Sequence, residues 1–317
     1  MQIYYAGIDI GGTNIKVALT DEALHTICTR SIPTVPNSGD KSPETILDRV
    51  ASLIKDMIFS LGFDPAGLRA IGLGMAGIVA PGTSELLQFN ALGWSNFYPT
   101  KYLKKHFQTP VYLENDGTVN LIGETQIGAA IGCQDVILIT LGTGVGGAIM
   151  TQGKILGGAS GLGGEIGHIY INQGKTFQQY CSATSVVEFA RNQMHNYSDS
   201  LLWEVSEGNP TAVTAKMIAD CAKRKDLLCL TIMDQTSRHL AYALTSLINV
   251  FNPSLILIGG GMSLVGDLLL DPAIKQTLLS IHHPRLACPI IQTTLGDMAG
   301  ALGSCALARL RTLSQKF

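Results

Sequence analysis

The chain has 317 residues, of which 46% are hydrophobic and only 15% charged, with a net charge of −2. That balance excludes global disorder, and it provides neither the basic footprint of a nucleic-acid binder nor a polybasic membrane anchor. Thirty-five glycines stand out; in an apolar chain they mark tight turns or backbone brought close to a ligand.

In chain order, residues 3–10 form a β-rich run, a Gly-Gly-Thr turn follows, and 15–20 read as a second strand, so the chain opens on a hairpin. A third strand is expected near 26–32, and Ser42-Pro43-Glu44 starts a helix that reaches about residue 60, with serine as N-cap and proline at the first helical position. Residues 70–77 read as a buried strand, 99–107 as helix, and 110–114 as a strand that Asn115-Asp116-Gly117 breaks before a helix to about 129. The charge-free stretch 136–153 approaches a membrane span in length, but Gly142, Thr143, Gly144, Gly146 and Gly147 interrupt it, and two strands around a turn fit it better. It repeats the strand, glycine turn, strand plan of the N-terminus. Helices are expected over 183–195, 211–223 and 227–249, then a buried strand at 254–258 ending in Gly-Gly-Gly-Met-Ser, and a final helix over roughly 299–313. Strands alternating with helices indicate an α/β fold, and the length suggests about two domains. No secretory leader is apparent, and the seven cysteines contain no C-x-x-C pair; both point to the cytoplasm.

Three glycine turns are candidate phosphate or nucleoside sites. Asp9-Ile10-Gly11-Gly12-Thr13 joins a carboxylate to a turn whose backbone N–H groups can converge on an anion, or it is an ordinary hairpin turn. Gly142-Thr143-Gly144 repeats this chemistry, and Gly260-Gly261 follows a buried strand, where α/β sheets gather ligands. Three such turns in one chain favour a nucleotide. Asp116, at a strand end, is the catalytic candidate: it can take a hydroxyl proton during attack on phosphorus, or it can cap the next helix. Glu165 and His168 sit three residues apart in a glycine cluster and suit sugar hydroxyls, a metal, or a satisfied polar pair.

Together, segments 7–21, 90–94, 111–124, 139–149, 158–168, 252–263 and 295–308 resemble the ROK family of repressors and sugar kinases, within the actin-like ATPase superfamily. The likeness spans nearly the whole chain in the right order. It implies two actin-like (ribonuclease H-like) α/β lobes closing over sugar and ATP at an interlobe cleft. The smaller lobe would comprise 1–115 with the final helix, about 299–317, and the larger 116–298. It further implies that Asp9 holds Mg²⁺ through water, that Gly11, Gly12, Thr13, Gly142, Thr143 and Gly144 lie near the phosphates, and that Gly260 and Gly261 lie near the adenosine. Asp116 is similar to the family's catalytic base, and Asn90, Asn115, Glu165 and His168 match sugar-contacting positions.

One segment departs from the family pattern. Many members carry a zinc-binding cysteine cluster after the glycine–histidine motif. Here Thr176 falls where its last cysteine would be, Gln178 falls where a sugar-binding glutamate would be, and Cys181 is out of position. No structural zinc is therefore expected, and the amide of Gln178 both donates and accepts where a carboxylate would only accept. The resulting expectation is an ATP- and Mg²⁺-dependent kinase for a hexose or hexose derivative, acting at the 6-hydroxyl. A homodimer is the family default. The competing readings are a non-catalytic sugar-sensing regulator, without an expected helix-turn-helix ahead of the first strand, and a sugar-independent actin-like or chaperone-like ATPase. The Glu165–His168 pair argues against the latter.

Overall fold

The computed structural model describes residues 2–314 as two compact units. The first contains the chain up to Cys133, the segment Lys154–Gly163, and the chain from Thr293 onward; the second contains Gln134–Gly153 and Gly164–Gln292.

The first unit is built on a five-stranded sheet. Its strands are β1 (Tyr4–Ile10), β2 (Asn14–Asp21), β3 (Thr26–Pro33), β4 (Leu68–Met75) and β5 (Val111–Asn115), in the order β3-β2-β1-β4-β5. β1 and β2 form the expected antiparallel hairpin, with Asp9 opposite Lys16. β1, β4 and β5 run parallel, and their registers align Ile10 with Met75 and Met75 with Asn115. Three strands therefore end at one edge, which is where this class of sheet offers a site. Helix α1 (Pro43–Ser60) covers one face. Its start follows the sequence signals: the Ser42 side chain accepts from Thr45 N–H, and Pro43 occupies the first turn. Ile46, Leu47, Val50 and Ile54 of α1 join Ile8, Ile10, Ile15 and Val17 in the core.

The other face is covered by α2 (Asp116–Ile127) and by the C-terminal helix Ala299–Ser314. Gly7 and Gly72 make this close packing possible. A Cβ on Gly7 would strike the Ala301 carbonyl oxygen, and one on Gly72 would strike that of Ser304. Glu124 of α2 is fully buried, yet its carboxylate is satisfied: it accepts from Thr294 N–H (2.9 Å), Leu295 N–H (3.0 Å) and Ala129 N–H (2.8 Å). Those bonds tie α2 to the segment that leads into the C-terminal helix. The expected lobe boundary after residue 115 differs from this grouping. The α2 helix belongs with the first unit because Val119 and Ile122 share a core with Ala301, Leu302 and Cys305.

The second unit repeats the plan. β6 (Val136–Leu141) and β7 (Val145–Thr151) form an antiparallel hairpin around the turn 142–144, with Leu141 opposite Val145. β8 (Leu255–Gly259) runs parallel to β6, and β9 (Ile290–Gln292) runs parallel to β8. The helices are α3 (Ala183–Gln193), α4 (Ala215–Lys223), α5 (Leu227–Phe251) and α6 (Leu270–Ser280). Leu240, Leu244 and Leu247 line the buried face of α5, as their spacing predicts. Several local elements differ from expectation. The helix expected over 99–107 is only Pro99–Leu103, and α6 was not anticipated. Nor was a small three-stranded sheet formed by Ile78–Val79, Leu86–Phe89 and Trp94–Phe97. Among the described residues, no helix is long and apolar enough to cross a membrane.

Candidate active site

In the first unit, the parallel register brings Asp9 and Asp116 to the same end of the sheet. Asp9 is the penultimate residue of β1, and Asp116 follows directly on β5 as the first residue of α2. Burial, and next the charge of Asp116, push the Asp9 carboxyl up to about 6, against the pull of Lys16. Two carboxylates facing one half-buried space is a costly arrangement for a structural role alone. Lys16 lies across the hairpin from Asp9 and donates to the Asp297 carbonyl oxygen at 2.7 Å. The turn after Asp9 is closed by Gly11 N–H donating to Asn14 O (3.1 Å), and Thr34 Oγ1 donates to Gly11 O (2.7 Å). Gly12 and Thr13 are exposed at its tip.

The cap of α2 is Asn115, not Asp116. Asn115 Oδ1 accepts from Gly117 N–H (2.9 Å) and Thr118 N–H (3.3 Å), and its amide donates to Gly77 O (3.1 Å). Among the described residues, that is the one hydrogen bond its amide nitrogen donates. Asp116 is the first residue of the helix, whose N-terminus favours a negative charge there. Asn90 is exposed in the turn after Leu86–Phe89, where its Oδ1 accepts from Gln88 (2.6 Å). Glu114 points away from this group: burial raises its pKa, and its side chain reaches toward Arg311 at 4.0 Å.

In the second unit, the turn 142–144 is built as tightly. Gly142 N–H donates to Gly144 O (2.9 Å), Ala183 N–H to Gly142 O (2.8 Å), and Thr184 Oγ1 to Thr143 O (2.8 Å). Gly260 follows β8 at φ 85°, where a Cβ would collide with the Leu141 backbone. Gly142, Thr143 and Gly261 meet in one cavity of about 550 Å³, walled by Ala183, Ala219 and Leu264. Two of the three glycine turns predicted from sequence thus line a single mostly apolar space. The small residues of α3 and α4 in its wall carry no sequence signal of their own.

Glu165 precedes and His168 ends a short 3-10 turn (Ile166–His168), both exposed, with 4.0 Å between Oε2 and Nε2. Gly167 lies against the Val145 carbonyl, which holds that turn on β7. Thr176 caps the helix Phe177–Cys181 in a reciprocal pair with Gln179, and Cys181 is buried with its thiol donating to Thr236 O (3.6 Å). Gln178 reaches the other way, where its Oε1 accepts from Val145 N–H at 3.0 Å. Among the described residues, no three His, Cys, Asp or Glu side chains cluster as metal ligands.

The ROK family model matches residues 5–311. This chain belongs to the ROK family. It is 33% identical over 312 residues to a glucokinase of Halalkalibacterium halodurans, covering 95% of this chain and 93% of the relative. It is 24% identical to a xylose repressor of Caldicellulosiruptor bescii, covering 95% of this chain and 77% of the repressor. Among solved structures, a ROK glucokinase of Streptomyces griseus in complex with glucose and AMPPNP superposes with a TM-score of 0.81 at 28% identity, over 97% of this chain and 99% of that one. The α/β architecture is that of ROK sugar kinases.

Proposed function

We propose that this ROK protein transfers the γ-phosphoryl group of ATP to the primary 6-hydroxyl of a hexose, glucose being the first candidate, with Asp116 as the general base. That it is an ATP-dependent sugar kinase follows from its membership of the family and its likeness to glucokinases over nearly the full chain. The observation that supports the base assignment is the placement of Asp116 at the same sheet end as Asp9, whose carboxyl is pushed up by burial and next by the charge of Asp116.

The chemistry divides between the residues as follows. Asp116 accepts the proton of the 6-hydroxyl while that oxygen forms a bond to the γ-phosphorus. The bond to the bridging oxygen breaks, and ADP leaves with the electron pair. Asp9 suits Mg²⁺ because a divalent ion relieves the repulsion between two carboxylates and needs few protein ligands when phosphates supply the rest. When bound, Mg²⁺ offsets charge on the phosphates. The exposed amides of Gly12 and Thr13, and those of Thr143 and Gly144, are the donors for phosphate oxygens, with Gly11 N–H holding the first turn closed. The cavity beside Gly261 is of a size and apolarity to take a purine. Asn90, Asn115, Glu165 and His168 are the candidate sugar contacts.

Asp116→Asn should lower kcat by about 10²–10⁴-fold, the usual worth of a general base, while glucose affinity stays near that of the wild type. A coupled ADP assay across hexoses and N-acetylhexosamines, with sugar binding followed by calorimetry, reads both. Turnover close to wild type in this variant would sink the assignment. The second reading, a sugar-responsive regulator, draws on the xylose repressors among the relatives, and it requires that no sugar stimulate ATP consumption.

A further inference from the structure

By the resemblance, Gln178 falls where a sugar-binding glutamate would be, yet its contacts are with the 142–145 turn. Its side-chain oxygen accepts from Val145 N–H at 3.0 Å. A backbone N–H can only donate, so this contact fixes which end of the amide faces the turn. Gly144 lies directly beneath it: a Cβ there would come within 2.7 Å of Oε1. The main chain of Gln178 is committed as well. Its carbonyl oxygen accepts from Ser182 N–H (3.1 Å) and from Ser185 Oγ (3.0 Å). Those residues begin α3, whose Ala183 and Thr184 bond Gly142 O and Thr143 O. One residue therefore ties both limbs of the 142–145 turn, the far limb by its side chain and the near limb through α3.

Three donors are left over by this arrangement. Thr143 N–H, Gly144 N–H and the Gln178 Nε2 group make no hydrogen bond among the described residues. They belong to one turn and to the side chain that lies on it. A glutamate at 178 could also accept from Val145 N–H, but it would hold a negative charge against the same donors. We propose that Gln178 is a positioning residue for the nucleotide phosphates: it holds the 142–145 turn open for an anion and keeps that place neutral, and sugar selection lies elsewhere. This rests on the kinase reading for its substrate, ATP, but not for the geometry of the turn.

The test uses the full chain with Gln178→Leu and Gln178→Glu. Mg·AMPPNP and glucose affinities are measured by calorimetry, ATP and glucose KM by coupled assay, and amide exchange by mass spectrometry over 142–147. Loss of one hydrogen bond to a charged ligand predicts about a tenfold weaker AMPPNP affinity and a matching rise in ATP KM for both variants, with glucose KM within about twofold of wild type. Exchange over the turn should accelerate in Gln178→Leu and stay slow in Gln178→Glu, because the carboxylate still accepts from Val145. A rise confined to glucose KM, with AMPPNP affinity unchanged, overturns the proposal in favour of a sugar contact. Unchanged nucleotide binding in both variants, or a wild-type chain that binds no AMPPNP, overturns it too. If the wild type binds AMPPNP but phosphorylates no sugar, the kinase reading fails, and AMPPNP affinity with the exchange pattern still decides the role of Gln178.

Discussion

Asp9 shows what the site costs the fold. Its carboxyl is raised from 3.8 to about 6 by burial and by Asp116. Between roughly pH 4 and pH 6 the folded chain keeps a proton that the unfolded chain has released. Stability is therefore fuller below that window and falls as pH rises through it. The shift corresponds to a penalty on the order of 2–3 kcal/mol at neutral pH. Asp9→Asn removes the charge at nearly constant shape, so the ligand-free variant should resist urea better than wild type at pH 7.5, with the advantage shrinking toward pH 4.5. Mg²⁺-dependent turnover should be lost in the same variant. Equal midpoints at pH 7.5 would show that the pair of carboxylates is not strained in the folded chain.

Among the elements, the two hairpins were legible because each glycine turn is flanked by runs of β-branched and apolar residues, and α1 because Ser42 and Pro43 mark its start. The missed elements lack such marks. Strands Ile78–Val79 and Leu86–Phe89 are too short to alternate, and α6 begins at Leu270 without a side-chain cap and carries Pro272 in its first turn. In the site, the glycines and Asp116 were legible as motifs. The partner of Gln178 was not, since Val145 lies 33 residues away and only the fold brings the two together. The nearness of Asp9 to Asp116 likewise follows from the parallel registers of β1, β4 and β5, which no local pattern encodes. The packing of the C-terminal helix makes an element-scale prediction. Gly72→Ala places a methyl group on the Ser304 carbonyl, which is backbone and cannot swing aside. Overpacking of this kind should destabilise the chain by about 1–3 kcal/mol in urea unfolding. Unchanged stability would mean that the helix shifts away at no cost.

On the scale of the whole molecule, the chain uses one plan twice: a glycine-turned hairpin whose first strand pairs with a parallel neighbour, β4 with β1 and β8 with β6. Each copy presents backbone amides at its turn, while the carboxylates Asp9 and Asp116 belong to the first unit alone. On the proposed reading, that asymmetry suits a phosphotransferase: both turns would take phosphate oxygens, and Asp9 and Asp116 would supply the metal ligand and the base. A sensor needs no base, so the two functions separate on ligand linkage. Any ligand bound only by the folded chain stabilises it by about 2.7 kcal/mol at a hundredfold excess over its Kd. Glucose and Mg·AMPPNP should each raise the Tm of the wild type, and both should still do so in Asp116→Asn, because the base is needed for transfer and not for binding. ATP with glucose should yield ADP and glucose phosphate one for one in the wild type and almost none in the variant. A wild-type chain that glucose stabilises but that leaves ATP intact would place it with the sugar-responsive regulators of its family.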